Sequence, residues 1–96
     1  TTYLLCEVLV RSGFEVLVHD VEFSTNEIKA KGLKAVDEIY GSDAEVVFLV
    51  TMHKEYHQPD FERLSKKGVK YFIDGRNNID RNKVMVAGIE YLGIGR

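Results

Sequence analysis

By residue type and neighbourhood, Arg76 is the side chain in this sequence best placed to meet a ligand. Tyr71-Phe72-Ile73 run into Asp74-Gly75, the arginine follows at once, and Asn77-Asn78 come after it. Three apolar residues ending in Asp-Gly have the pattern of a buried strand that opens into a tight turn. In open parallel α/β sheets, ligands sit outside the carboxyl ends of the strands. A cation in that turn therefore stands where an anionic ligand would be met. The planar fork of arginine suits two-point contact with phosphate, and Gly75 permits close approach of backbone to a ligand. Two readings of Arg76 stand at this point: an anion-binding group, or a solvated surface cation of little consequence.

Other residues with chemical potential carry weaker patterns. His53 and His57 are four apart, a spacing that shares one face on a helix. The metalloprotease pattern needs Glu directly after the first His, where Lys54 stands, and a closed metal site needs three or four ligands. The pair reads as part of a polar loop, and no metal site is assigned. Cys6 lies among Leu4, Leu5, Val8 and Leu9, which is the setting of a structural thiol and not of an activated nucleophile. Gly93-Ile94-Gly95-Arg96 has glycines like those of a phosphate loop, without the helix that the dinucleotide fingerprint requires. Asp20 and Asp74, with Thr51, echo a phosphoacceptor signalling domain. That site wants clustered acids and a lysine at the end of the last strand, and neither arrangement is clear here. No catalytic residue is assigned.

The elements that must position Arg76 can be read in order. Tyr3 to Arg11 carries apolar residues at 4, 5, 8 and 9, the stripe of a half-buried helix, and Ser12-Gly13 ends it. Residues 14–20 read as a strand. Ser24 to Glu27 offer helix N-caps, with a short helix to Lys31 that Gly32 stops. Leu33 to Tyr40 is expected to form a second short helix. Residues 44–51 follow as a strand, and five consecutive apolar residues, Val46 to Val50, predict burial on both of its faces. Pro59 suits the first turn of a helix that runs to Lys66-Lys67-Gly68. Strands at 69–74 and 89–94 flank a loop or short helix over 78–87. Such alternation predicts an α/β fold with a mostly parallel sheet.

With 96 residues the chain is one small domain at most. Hydrophobic residues make up 45%, enough for a core, and 13 basic against 15 acidic residues give a net charge of -2. That balance argues against a nucleic-acid partner. No apolar run approaches the ~20 residues of a membrane span. A single cysteine and no signal-peptide pattern are expected of a cytoplasmic domain. The chain starts without Met and goes straight into an apolar helical pattern. It reads as a piece of a longer polypeptide, with the preceding strand left outside.

Taken together, the Asp74-Gly75-Arg76-Asn77 turn and the Tyr91-x-Gly93-Ile94-Gly95-Arg96 ending resemble the C-terminal, UDP-binding domain of the UDP-glucose/GDP-mannose dehydrogenase family. The resemblance covers nearly the whole chain, residues 1–96 as one domain fragment. It implies a Rossmann-like three-layer α/β sandwich whose first strand is missing, leaving the strands at 14–20 and 45–51 each with an edge to fill. It implies an NAD-dependent parent that oxidises the C6 alcohol of a UDP-sugar to a uronic acid, of UDP-glucose or UDP-N-acetylmannosamine type, for polysaccharide biosynthesis. On that pattern Arg76 and Gly75 bind the substrate's UDP, while Asp74 supports the turn. NAD and the family's nucleophilic cysteine belong to other domains, so the fragment is expected to be inert alone, and the parent to be a homodimer or larger. The alternative is a free-standing, non-catalytic α/β module for nucleotide sensing or protein interaction.

Overall fold

A computed structural model of the chain describes residues 2–94. Thr1, Gly95 and Arg96 lie outside the described residues, and with them the last two positions of the glycine-containing ending. The chain forms two compact units, Thr1–Gly41 and Ser42–Arg96.

The first unit opens with helix α1, Thr2–Arg11. Gly13, at φ +95°, closes it in the left-handed conformation that glycine adopts without strain. The Phe14 N–H reaches the Leu9 carbonyl and the Gly13 N–H the Val10 carbonyl, each at 3.1 Å, the Schellman pattern of a helix stop. The buried stripe is narrower than the apolar spacing predicts. Cys6 is buried and Leu5 and Leu9 are partly covered, but Leu4 and Val8 lie at the surface.

Strand β1, Leu17–Val18, is followed by helix α2, Thr25–Ala30, and strand β2, Lys34–Ala35. The two strands pair in parallel, so β1-α2-β2 is a crossover unit. A reciprocal capping box starts α2: Ser24 Oγ accepts the Glu27 N–H, and the Glu27 carboxylate accepts the Ser24 N–H. The helix expected over 33–40 does not form. An eight-residue segment between two glycines is too short to hold a helix by itself, and pairing with β1 satisfies the same backbone groups, extended by the Val36 N–H to the Val18 carbonyl.

The second unit runs β3 (Val46–Leu49), a 3₁₀ turn (Lys54–Tyr56), α3 (Phe61–Lys66), β4 (Tyr71–Asp74), α4 (Arg81–Val86) and β5 (Glu90–Gly93). Its strands lie in the order β3-β4-β5, all parallel, with Leu49, Asp74 and Gly93 in register at their carboxyl ends. Asp60 caps α3 by accepting the Arg63 N–H, which leaves Pro59 just outside the helix rather than in its first turn. Asp80 caps α4 through the Asn82 N–H.

The core sits on one face of this sheet. Phe72 is 2% exposed and meets Phe61 of α3 edge-on at 5.7 Å, with Leu64, Val84 and Ile89 buried beside them. The opposite face stays open. Val46, Phe48, Tyr71 and Leu92 alternate with the buried positions and all lie at the surface. Burial of β3 on both faces is therefore not observed, because crossovers of one hand along the order β3-β4-β5 place α3 and α4 on the same face of the sheet. No helix among the described residues is long and apolar enough to cross a membrane.

The architecture is a Rossmann-like α/β domain built on open parallel sheets. If the second unit's core is one-sided, Phe72→Ala should cost about 3–5 kcal/mol of unfolding free energy, and Leu92→Ala less than about 1 kcal/mol. Urea denaturation of both variants checks this, and equal losses would contradict it.

Candidate functional site

The carboxyl end of β4 carries a turn that three strands hold in place. Asp74, the last residue of β4, is fully buried, at 0% exposure. Burial alone would disfavour its charged form, but four donors outweigh that cost. Its Oδ2 accepts the Ile79 N–H at 2.9 Å and the Tyr91 hydroxyl at 2.8 Å, while its Oδ1 accepts the Arg76 N–H at 3.0 Å. The Asn77 N–H contributes as well, and the carboxyl is held below its ordinary pKa. The bond from Asp74 to the amide two residues on is an Asx turn, in which the side chain does the work of a backbone acceptor.

Backbone bonds tie the same turn to its neighbours. The Gly75 N–H donates to the Leu49 carbonyl of β3 at 2.9 Å, and the Ile94 N–H donates to the Asp74 carbonyl at 3.1 Å. Asn77 takes φ +55°, a left-handed value that asparagine tolerates better than most residues. Its side-chain amide donates to the Ile94 carbonyl.

Gly75 has a reason for its identity inside the fold. A Cβ there would lie 2.7 Å from the Leu49 carbonyl oxygen and 3.3 Å from the Phe48 ring. Any side chain would force β3 and β4 apart where the chain leaves the sheet.

Arg76 is exposed, and its backbone is fixed by the Asp74 carboxylate. Its guanidinium meets no carboxylate or carbonyl among the described residues. The site thus offers a solvent-facing fork on a rigid base, which can engage an anion through two parallel hydrogen bonds. Asp74 faces inward and cannot reach such a ligand.

The remaining candidates fall elsewhere. Cys6 is buried, and burial raises its pKa, as expected of an inert thiol. His53 and His57 bracket the 3₁₀ turn and do not share a helical face. The His53 carbonyl accepts the Tyr56 N–H, its ring meets Tyr56 edge-on at 5.9 Å, and the His57 N–H donates to the Lys54 carbonyl. Asp20 accepts the Glu22 N–H in a local turn of the first unit. Thr51 is exposed two residues past β3. Tyr91 is the site residue to which sequence reasoning gave no role. Only the register of β5 against β4 brings it beside Asp74, 17 positions away.

The depressed pKa of Asp74 fixes the sign of an acid effect. Its stabilising contribution is complete above the unfolded carboxyl value of about 3.9 and is lost as pH falls through the lower folded value. Denaturant stability should therefore drop below about pH 4. Asp74→Asn should lower stability at neutral pH and flatten that acid limb; an acid limb as steep as in the unsubstituted protein would count against the charge network.

Comparison with known proteins identifies the family. The model of the UDP-glucose/GDP-mannose dehydrogenase family, UDP binding domain, matches residues 1–81. Over 104 aligned positions the chain is 31% identical to a UDP-glucose 6-dehydrogenase of Pseudomonas aeruginosa, covering 97% of this chain. It spans 23% of the length of that relative. β5, with Tyr91, lies past the residues that the family model matches. A match over most of the chain, ending just after the Asp-Gly-Arg-Asn turn, leaves one conclusion: this chain belongs to the UDP-glucose/GDP-mannose dehydrogenase family, as its UDP binding domain.

Proposed function

We propose that residues 1–96 act as the substrate-binding domain of an NAD-dependent UDP-sugar 6-dehydrogenase of UDP-glucose or UDP-N-acetylmannosamine type. In this reading Arg76 grips the UDP of the substrate. Gly75 keeps the turn close against β3, so that the nucleotide meets backbone instead of a side chain. The observation that carries it is an exposed guanidinium without a partner among the described residues, on a turn pinned at the carboxyl edge of a parallel sheet, in a chain of this family.

NAD would accept hydride from C6 of the sugar, and it is assigned to another part of a cytoplasmic, oligomeric polypeptide. Support comes from the connection between β4 and α4, the 75–80 segment, which has one glycine where dinucleotide binding needs a G-x-G-x-x-G turn leading into a helix. In this reading the described residues do not hold NAD. What they would do is bind and orient: holding the nucleotide at Arg76 fixes the distant sugar relative to a hydride acceptor supplied elsewhere, and so reduces the entropy lost in reaching a reactive pose.

NADH formation tests this. In the complete dehydrogenase, Arg76→Ala should raise KM for the UDP-sugar and leave KM for NAD unchanged. Loss of a charge-assisted contact costs about 1.5–3 kcal/mol, a rise of roughly 10- to 150-fold. The 96-residue chain alone, given UDP-sugar and NAD, should produce no NADH. An unchanged KM in the variant, or turnover by the isolated chain, would sink the proposal.

A further inference from the structure

Tyr91 is half-buried on β5, and its hydroxyl donates to Asp74 Oδ2 at 2.8 Å. The other donors to that carboxylate are the turn's own amides, those of Arg76, Asn77 and Ile79. These donors tie the turn to its own strand, β4. The Tyr91 hydroxyl comes from the neighbouring strand β5 and adds a tie to the sheet that the turn's own backbone does not supply. Backbone bonds to Leu49 and Ile94 anchor residues 74 and 75, but the segment that carries Arg76 is referenced to the sheet through the Asp74 carboxylate and the Asn77 amide.

We propose that Tyr91 is a positioning residue for Arg76: through Asp74, it sets the direction in which the guanidinium leaves the turn. The inference rests on the reading that Arg76 binds the UDP moiety. An O–H donor to an ionised, buried carboxylate forms a short, strong bond, and that bond further restrains rotation of the carboxylate plane, to which the Arg76 amide responds. A turn held in its bound geometry spares the nucleotide the cost of ordering it. Tyr91 itself touches no ligand in this account.

A double-mutant cycle on the complete polypeptide, with UDP as the probe and calorimetry as the readout, tests the claim. Tyr91→Phe keeps the ring on β5 and removes only the hydroxyl. It should weaken UDP binding by about three- to ten-fold. Arg76→Ala should weaken it further, and the double variant should bind no worse than Arg76→Ala, because Tyr91 then has nothing left to aim. Asp74→Asn, which also weakens the bonds from the Arg76 and Ile79 amides, should weaken UDP binding at least as much as Tyr91→Phe does.

Each other result separates the two ideas. Wild-type affinity in Tyr91→Phe beside a weakened Arg76→Ala overturns the positioning role and leaves the Arg76 reading standing. Losses that add in the double variant give Tyr91 an effect of its own and also overturn it. Unchanged affinity in Arg76→Ala removes the reading itself, and the inference with it. Thermal midpoints are measured alongside, and a Tyr91→Phe protein unfolded at the assay temperature would contradict a role confined to aiming Arg76.

Discussion

A carboxylate sealed from water at the end of a central strand is tolerable only if donors surround it, and around Asp74 they do. Left unpaired, such a group would take up a proton and lose its charge. Paired with the amides of Arg76, Asn77 and Ile79 and with the Tyr91 hydroxyl, it stays ionised and becomes the point from which the turn is built. Each donor is held by something else in turn. Ile79 is buried, Arg76 follows a glycine pressed against the Leu49 carbonyl, and Tyr91 belongs to a strand in register with β4. The exposed arginine is thus the outermost part of an arrangement whose centre is dry. That division places one charge inside, bonded into the structure, and the other outside, facing solvent, at residues two apart.

Much of this was legible in the sequence, and for local reasons. The β4 run ending in Asp-Gly, the glycine stop after α1 and the Ser24 cap of α2 each depend on neighbours within a few residues. The position of Arg76 past a parallel strand follows from the same kind of pattern. What could not be read are the effects of distant partners. The 33–40 segment has helical spacing, yet its backbone is claimed by β1, and spacing does not report pairing. The apolar run of β3 promises two covered faces, but only the face that meets Phe72 and Phe61 is covered.

Gly75 and Tyr91 illustrate the same limit within the site. From sequence, Gly75 reads as clearance for a ligand, whereas the fold shows a carbonyl oxygen from β3 in the space a methyl group would need. On the proposed function both uses would act in one direction, since a turn lying flat on the sheet edge would also present bare backbone to a nucleotide. Tyr91 belongs to the ending that carries the resemblance, but nothing local gives it a role at the turn. Its period-2 phase on β5 turns it to the covered face, and only the pairing of β5 with β4 supplies the acid it meets. The family match takes in the turn and ends before β5 begins.

The central claim is that a rigid turn, centred on a buried carboxylate, offers Arg76 to the nucleotide. A crystal structure of the complete protein with UDP bound examines it most directly. The account expects the Arg76 guanidinium within about 2.7–3.2 Å of nucleotide oxygen atoms, with the bonds from Arg76, Ile79 and Tyr91 to Asp74 unbroken. UDP bound elsewhere, with Arg76 left in solvent, would contradict it.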